Sequence, residues 1–199
     1  IAMLGSNLSY DMYLQKEIGR YAQRNDWEII LNDSYPFGST RFDAQLARIR
    51  AEKPAIIFGS ITSTESAIEF VNQFLQNPTN SLIFLQWSPG ASKFVNLLRK
   101  KANGILWQTE FGYLPNKENI QWVKEFTKEF GREPGVAWPA MMDDMLNIWI
   151  KAVEYAGDPN DYKSVNTYIR DLNQHPYNGR TGRHGINPER NEGLSGLNW

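Results

Sequence analysis

Apolar and polar positions follow two alternating patterns along the first half of the chain. Short runs that are apolar throughout predict buried strands, and segments with apolar residues every three or four positions between them predict amphipathic helices. The apolar runs are residues 1–6, 27–31, 55–58, 81–87 and 104–108. Uniformly apolar strands are typical of a parallel sheet that is flanked by helices on both faces. We therefore predict an α/β fold in which four βα units in series lead to a fifth strand.

Capping and helix-breaking residues mark where two of the predicted helices begin and end. Thr40 and Asp43 have the spacing of a capping box with Asp in place of Glu, which predicts a helix start. Pro54 ends that helix, and residues 62–64 are expected to cap the next one.

The second half of the chain has a different pattern. Three amphipathic segments follow Thr109 without an apolar run between them: residues 118–130, 139–155 and 161–172. The middle segment is apolar around nearly its whole circumference, so that helix must be covered on nearly all sides. Because no strand is predicted among these helices, we expect them to pack against a sheet outside this chain. Residues 177–199 are rich in Gly, Asn and Arg, which predicts a loop with at most one short strand.

Composition excludes several classes of function. The 199 residues carry 21 basic and 22 acidic side chains, and this balance argues against the basic face of a nucleic-acid-binding protein. The absence of cysteine excludes disulfides, thiol nucleophiles and cysteine-based zinc sites. The apolar runs are strand-sized and fall short of the roughly 20 residues that span a bilayer.

No motif in the sequence predicts an enzyme, a cofactor or a metal site. The two histidines, His175 and His184, lack the His/Glu spacing of a metal-binding helix. Residues 179–185 combine glycines with basic side chains, but phosphate-binding fingerprints also need a preceding strand and a following helix. Residues 193–196 have the wrong spacing for a nucleophile elbow. A hydrolase or transferase therefore lacks its nucleophile–base pair.

Asp143 and Asp144 are the one pair of adjacent carboxylates in the predicted helices. Neighbouring helix positions point about 100° apart, so we expect that the two do not converge on one proton or metal. One of them is expected to meet a partner flanking the helix, or solvent.

Polar and aromatic residues collect where the predicted strands end. Ligands of open parallel sheets bind at these carboxyl ends, where loops and helix starts converge. Apolar walls with a few oriented polar groups are typical of a small-molecule site. Capping of helices is an equal alternative for the hydroxyls, and a place in the core is the alternative for the tryptophans. The candidates are Tyr10, Ser60, Ile61, Thr62, Trp87, Ser88 and Trp107.

Three segments resemble the type 1 periplasmic binding proteins, above all the leucine/isoleucine/valine-binding branch. Residues 36–49, together with residues 54–59, are similar to that family's P-x-G-x-T-D-F-x-x-Q-L-x-x-I segment. Tyr10-Asp11 resembles a Tyr-Gly pair after the first strand of the second lobe. Residues 144–157 resemble the family's Y-D-A…A-x-x-x-A-G helix.

The resemblance implies two α/β lobes that clamp a ligand between them. Residues 1–109 would form the second lobe, residues 110–186 the helical part of an incomplete first lobe, and residues 187–199 a segment returning to the second lobe. A chain that begins with Ile1 inside a strand is then expected to be part of a longer protein. The resemblance also carries ligand contacts over to Tyr10, Ile61, Thr62, Trp87, Ser88 and, before the long helix, Trp138.

The function implied is that of a solute-binding protein of an ABC importer, with a membrane permease as its partner and no enzymatic activity. Such a protein is periplasmic or extracellular, and attachment as a lipoprotein is compatible with it; this chain shows no export signal. The helices of residues 110–186 could also drive formation of a homodimer. A clamshell sensory domain, of the amide-sensor or receptor-ectodomain type, is the alternative.

The sequence departs from the family pattern at Asp11, Arg41 and Asp143. Amino-acid binders of this branch also place an acidic residue near position 88 for the ligand's ammonium group, and Trp87 and Ser88 supply none. Burying an ammonium group without a counter-charge is costly. We therefore expect a ligand that is not a zwitterionic amino acid: an aromatic or short organic acid, an amide or a neutral solute.

Overall fold

The chain folds as two units, Ile1–Glu110 and Phe111–Trp199. The computed structural model describes residues 1–108, 112–135, 138–187 and 192–196. The predicted change of lobe between residues 109 and 110 lies outside the described residues. The assignment of residues 1–109, 110–186 and 187–199 to parts of a clamshell stays a prediction.

Five parallel strands form the sheet of the first unit in the order β2-β1-β3-β4-β5. This confirms the predicted α/β class with a parallel sheet flanked by helices. The strands are β1 (Ala2–Ser6), β2 (Leu31–Tyr35), β3 (Ile56–Ile61), β4 (Leu82–Trp87) and β5 (Leu106–Gln108). The helices are α1 (Ser9–Arg24), α2 (Asp43–Glu52), α3 (Thr64–Phe74) and α4 (Ser92–Leu98), with 3-10 turns at Ser88–Gly90 and Arg99–Ala102.

An apolar cluster fills the space between the sheet and α2, α3 and α4. Phe42 and Phe70 are fully buried in it and meet edge to face, with ring centroids 5.5 Å apart. Burial of one such side chain contributes about 1.5–3 kcal/mol to folding. On the opposite face α1 packs closely on β1, because a Cβ at Gly5 would lie 2.7 Å from Cδ of Gln15 and would require that side chain to move.

Strand β2 is displaced from the apolar run that predicted it, and strand β3 extends beyond its run. The strand predicted at residues 27–31 is wrong: β2 spans Leu31–Tyr35, an edge strand that buries alternate residues only and so carries no apolar run. Trp27 lies outside the sheet and meets Tyr21 edge to face, with ring centroids 5.6 Å apart. β3 continues through Gly59 to Ile61, three residues past the predicted run. A Cβ at residue 59 would lie 2.6 Å from Cδ2 of Leu85, so glycine allows β3 and β4 to pack closely there.

The capping box predicted at Thr40 is also wrong. Helix α2 begins at Asp43, and its N-cap residue, Phe42, makes no side-chain cap. Instead, the side chain of Gln73 on α3 hydrogen-bonds the backbone just before α2. Its Oε1 accepts from the Phe42 amide at 2.9 Å, and its Nε2 donates to the Thr40 carbonyl at 2.7 Å. Ser63 caps α3 within the segment predicted for it.

The second unit contains the three predicted helices and a small sheet that was not predicted. The helices are α5 (Lys117–Phe130), α6 (Trp138–Ala156) and α7 (Tyr162–Arg170). The antiparallel strands β6 (Tyr177–Gly179), β7 (Gly182–Asn187) and β8 (Glu192–Gly196) lie where a loop was expected. The expectation that these helices have no sheet of their own is therefore wrong. No helix of the described residues is both long and apolar enough to cross a membrane.

Candidate functional site

The carboxyl ends of β1 and β3 form the switch point of the first sheet. These strands are neighbours, and the chain leaves β1 toward β2 but leaves β3 toward β4, in opposite directions across the sheet. Loops that diverge from two adjacent strands open a crevice, which is the usual ligand site of such sheets. Ser6 ends β1, while Ser60 and Ile61 end β3.

A buried carboxylate, Asp11 of α1, joins the two strands at this point. Its Oδ2 accepts from the Ser6 hydroxyl at 2.5 Å, and its Oδ1 accepts from the hydroxyls of Ser60 at 3.1 Å and Thr62 at 2.5 Å. Asp11 has no exposed surface. A buried charge is tolerated only when it is hydrogen-bonded in this way, so the three hydroxyls fix the start of α1 against β1 and β3.

The Asp11 charge acts on its surroundings as well. Burial, with a smaller contribution from the Asp11 carboxylate, raises the pKa of the Tyr35 hydroxyl far above its usual range. Among the described residues, no hydrogen-bond partner meets this buried hydroxyl at the end of β2.

Strain and unpaired polar atoms collect at the end of β4. Trp87 has φ +76° and ψ −61°, a γ-turn conformation that is rare for a side chain of this size. Gln86 and Ser88 on either side are each only 2% exposed. Gln86 donates to the Tyr10 hydroxyl at 3.0 Å, but its own Oε1 and the Ser88 Oγ meet no hydrogen-bond partner within the described ranges. Strained backbone and orphaned buried atoms are typical of functional sites.

The acidic side chains that the structure describes at this end of the first unit are all hydrogen-bonded or paired with a cation. Asp11 is enclosed by hydroxyls, and the other three are paired with cations. The pairs are Asp33–Arg48 and Asp43–Arg41, each 3.1 Å between nitrogen and oxygen, and Glu65–Lys93 at 2.5 Å. The hydrogen bond from Lys93 holds the pKa of Glu65 below its usual range.

A second buried carboxylate, Asp144 of α6, accepts hydrogen bonds from the β6–β7 hairpin. It accepts from the Arg180 amide at 2.6 Å, from the Thr181 amide and hydroxyl at 2.8 and 2.7 Å, and from Nε2 of His184 at 2.9 Å. Burial raises the pKa of Asp144, but these hydrogen bonds together outweigh burial and hold it below its usual range. Gly179 is required because a Cβ there would lie 2.3 Å from the Asp144 carboxyl carbon.

Both adjacent aspartates meet partners that flank the helix, as was expected for one of them. Asp143 accepts from Nε of Arg180 at 2.6 Å and keeps 30% of its side chain exposed, whereas Asp144 binds the hairpin backbone, Thr181 and His184. The two side chains bond different atoms, in line with their different directions from the helix. Asp144, His184 and Thr181 do not form a nucleophilic triad, because a single nitrogen of His184 contacts both partners. No group of side chains in the described part of the chain could hold a metal ion.

The family model for periplasmic binding proteins matches residues 1–197. The chain belongs to the periplasmic binding protein family. No curated protein matches it.

Solved structures show the same fold at low sequence identity. A putative branched-chain amino acid ABC transporter from Silicibacter pomeroyi is 21% identical, with a TM-score of 0.82 over 98% of this chain and 50% of its own. A leucine binding protein from Thermotoga maritima is 18% identical, with a TM-score of 0.77 over 96% and 54%. A solute binding protein from R. palustris in complex with 4-hydroxybenzoate is 14% identical, with a TM-score of 0.83 over 98% and 53%. This periplasmic binding protein thus spans about half the length of these structures.

The predicted site residues divide by exposure. Ser60, Ile61 and Ser88 are buried, whereas Thr62 and Trp87 are half-buried. Tyr10 and Trp107 are just over one-third exposed. Their contact with a ligand stays a prediction, and so does that of Trp138, which is half-exposed in the second unit.

The alternatives for these residues are not supported by the structure. Ser60 and Thr62 do not cap α3, which Ser63 caps; their hydroxyls donate to Asp11 instead. The N-cap of α4 is Ala91, so Ser88 does not cap that helix. Trp87 and Trp107 both retain exposed surface and are not part of the apolar cluster.

Asp11 is the residue that sequence reasoning missed. It was noted only as a departure from a Tyr-Gly pair. The available signal was one carboxylate in the first turn of a helix, together with hydroxyls at the ends of two strands. The strand order that makes those strands neighbours comes from the structure.

Proposed function

We propose that this protein is the solute-binding component of an ABC importer and that its ligand is a small organic acid with an aromatic ring. The observation that carries the ligand class is that each acidic side chain described at the carboxyl ends of these strands is already hydrogen-bonded or paired with a cation. Among the described residues an ammonium group would find no unpaired carboxylate, and leaving it without one costs several kcal/mol. Tyr10, Trp87 and Trp107 supply aromatic surface for a flat ring instead.

The solved neighbours support this class. Two solute binding proteins from R. palustris were solved in complex with benzoate and with 4-hydroxybenzoate. Others are described as branched-chain amino acid or leucine binding proteins, so the fold alone serves both kinds of ligand. The side chains at the strand ends must therefore decide between them.

The mechanism that we propose is closure of two lobes on the ligand. Residues 1–109 would supply one lobe and residues 110–186 part of the other, with residues 187–199 returning to the first of these. A ligand that contacts both lobes stabilises the closed form by the contacts that only this form makes. A membrane permease would then bind the closed form in the periplasm. No chemical change of the ligand is part of this proposal.

Calorimetric titration of the 199-residue chain with benzoate, 4-hydroxybenzoate and leucine tests the ligand class. We expect heat of binding with the aromatic acids and none with leucine. Trp87→Ala should weaken binding at least tenfold, because it removes an aromatic wall. Trp27→Ala is the control, since Trp27 is also a tryptophan with exposed surface but precedes β2, at the amino ends of the strands. Tight binding of leucine, or equal losses in both variants, would contradict the proposal.

A further inference from the structure

The hydroxyl of Thr62 has only one hydrogen, and that hydrogen is committed to Asp11. The Thr62 Oγ1 donates to Asp11 Oδ1 at 2.5 Å. A hydroxyl has one donor and two acceptor lone pairs. Because Thr62 is half-buried at the end of β3, its hydroxyl offers a neighbouring molecule its lone pairs only.

The other hydrogen bonds around Asp11 keep the Thr62 hydroxyl pointing toward it. The Ser6 hydroxyl accepts from the Leu8 amide at 3.2 Å, so its own hydrogen points to Asp11 Oδ2. Ser60, fully buried, donates to Oδ1 beside Thr62. Asp11 therefore accepts three hydrogen bonds from these hydroxyls and donates none. Rotation of the Thr62 hydroxyl toward a ligand would take one donor away from a buried carboxylate, which is unfavourable.

A carboxylate is a poor partner at this position. Its oxygens would face the Thr62 lone pairs, with the Asp11 charge directly behind them, and like charges repel strongly where water is excluded. The same lone pairs and the same charge accept any donor group, so this contact distinguishes a donor from a carboxylate, and the choice of a hydroxyl over an ammonium group comes from the proposed function. A neutral O–H group on the ligand satisfies the Thr62 oxygen without that repulsion.

We infer that Asp11 is a positioning residue that makes Thr62 an acceptor-only contact, so that the site selects an aromatic acid carrying a ring hydroxyl. This rests on the proposed function, and it adds which part of the ligand faces β3. The carboxylate of the ligand would then face away from Thr62.

The test compares affinities for benzoate, 3-hydroxybenzoate and 4-hydroxybenzoate in the 199-residue chain. We expect the tighter of the two hydroxylated acids to bind about tenfold more strongly than benzoate, the worth of one well-formed hydrogen bond. Thr62→Val should reduce this ratio to about one, and the ratio rather than the benzoate affinity is the readout, because the change also removes a donor from Asp11. Thr62→Ser should restore the ratio, because the serine hydroxyl can donate to Asp11 as well.

Asp11→Asn provides a second readout. Its amide can donate to Thr62, which frees the Thr62 hydrogen to turn outward, so the ratio should fall although Thr62 is intact. A purely structural role for Asp11 would weaken all three acids equally, and that result overturns the inference. An unchanged ratio in Thr62→Val overturns it too, while leaving the proposed function intact. Failure of all three acids to bind, with leucine binding, overturns the proposed function itself.

Discussion

The first unit buries an apolar cluster between its sheet and three helices, whereas the second unit buries a polar cluster between α6 and the β6–β7 hairpin. In both units, one fully buried aspartate connects a helix to neighbouring strands through hydrogen bonds. Asp11 joins a helix to two strands through hydroxyls, and Asp144 joins a helix to a hairpin through amides, a hydroxyl and an imidazole. Of these two aspartates, Asp11 is the one beside the predicted ligand contacts, so its hydrogen bonds also determine which polar groups face a ligand there.

The apolar side chains of the second unit are distributed differently from those of the first. A stripe along α6 is exposed by 38–56% of its surface. It consists of Trp138, Met142, Met145, Leu146, Trp149 and Ile150. The first unit covers its sheet with its own helices, but the second leaves this face of α6 uncovered by the described residues. The two units should therefore respond differently to mutation, pH and surface substitution.

The largest effect is expected from the apolar cluster. Phe70→Ala should lower the free energy of unfolding of the first unit by about 3–5 kcal/mol, because it removes a fully buried ring and leaves a cavity. Phe130→Ala, at a more than half-exposed position of α5, is the matched control and should cost less than about 1 kcal/mol. Urea unfolding followed by amide hydrogen exchange, which assigns the loss to one unit, is the measurement. Equal costs would mean that burial does not distinguish these two positions.

The second-largest effect on the free energy of unfolding is expected from the polar cluster around Asp144. Asp144→Ala should cost the second unit about 3 kcal/mol, because Arg180, Thr181 and His184 lose the acceptor of four hydrogen bonds. Asp143→Ala is the neighbouring control and should cost less, since its pair with Arg180 retains solvent contact. Exchange protection of the β6–β7 amides reports the effect directly. If Asp143→Ala proved the more damaging, the hairpin would not depend on Asp144.

Sequence reasoning succeeded best for elements that are shaped by apolar burial and less well for those held by polar contacts. Strands β1 and β4 were predicted because they lie inside the sheet and are largely apolar. The edge strand β5 was predicted from a short apolar run although its residues are exposed. The other edge strand, β2, alternates in burial and was displaced by four positions. Helices α5, α6 and α7 were predicted to within a few residues from their periodicity. These signals are local, and they are strong where apolar burial shapes the element.

The hairpin and the Asp11 site could not be predicted for a different reason. The β6–β7 strands are short and polar, and their stability depends on Asp144, which lies 36 positions before Arg180 in the sequence. The bond between Asp11 and Ser60 spans 49 positions. Such partners become visible only once the strand order and the hairpin are known. The Gly-rich run at residues 179–185 was interpreted as a loop, and its place in the β6–β7 hairpin was missed.

A smaller difference should appear in the dependence of stability on pH. Asp144 has a lowered pKa in the folded state, so its contribution is complete above about pH 4, its unfolded range, and is lost as the pH falls through the folded value. The second unit should therefore lose stability in acid, and Asp144→Asn should flatten that loss. Thermal melts between pH 2 and 6 measure it, and an acid loss of the same size in Asp144→Asn would contradict the assignment.

The first unit should show the opposite sensitivity through Tyr35. Its pKa is raised in the folded state, so stability is unaffected below about pH 10 and falls as the unfolded chain begins to ionise above that value. Tyr35→Phe removes this alkaline loss. At neutral pH it should change the free energy of unfolding by no more than about 1 kcal/mol, because the hydroxyl has no partner among the described residues. Melts at pH 8 and pH 11 separate the two effects.

The smallest effect on stability is expected on the α6 stripe. Leu146 and Ile148 lie two positions apart on this helix, one more than half exposed and the other 5% exposed. Leu146→Lys should alter the free energy of unfolding by less than about 0.5 kcal/mol, whereas the matched Ile148→Lys buries a charge and should unfold the second unit. If the stripe mediates homodimer formation, Leu146→Lys should also lower the dimer fraction measured by sedimentation at a fixed concentration. A loss of more than about 1 kcal/mol in monomeric Leu146→Lys would show instead that part of the same chain covers the stripe, and the contrast between the two units would then be smaller than their side-chain burial suggests.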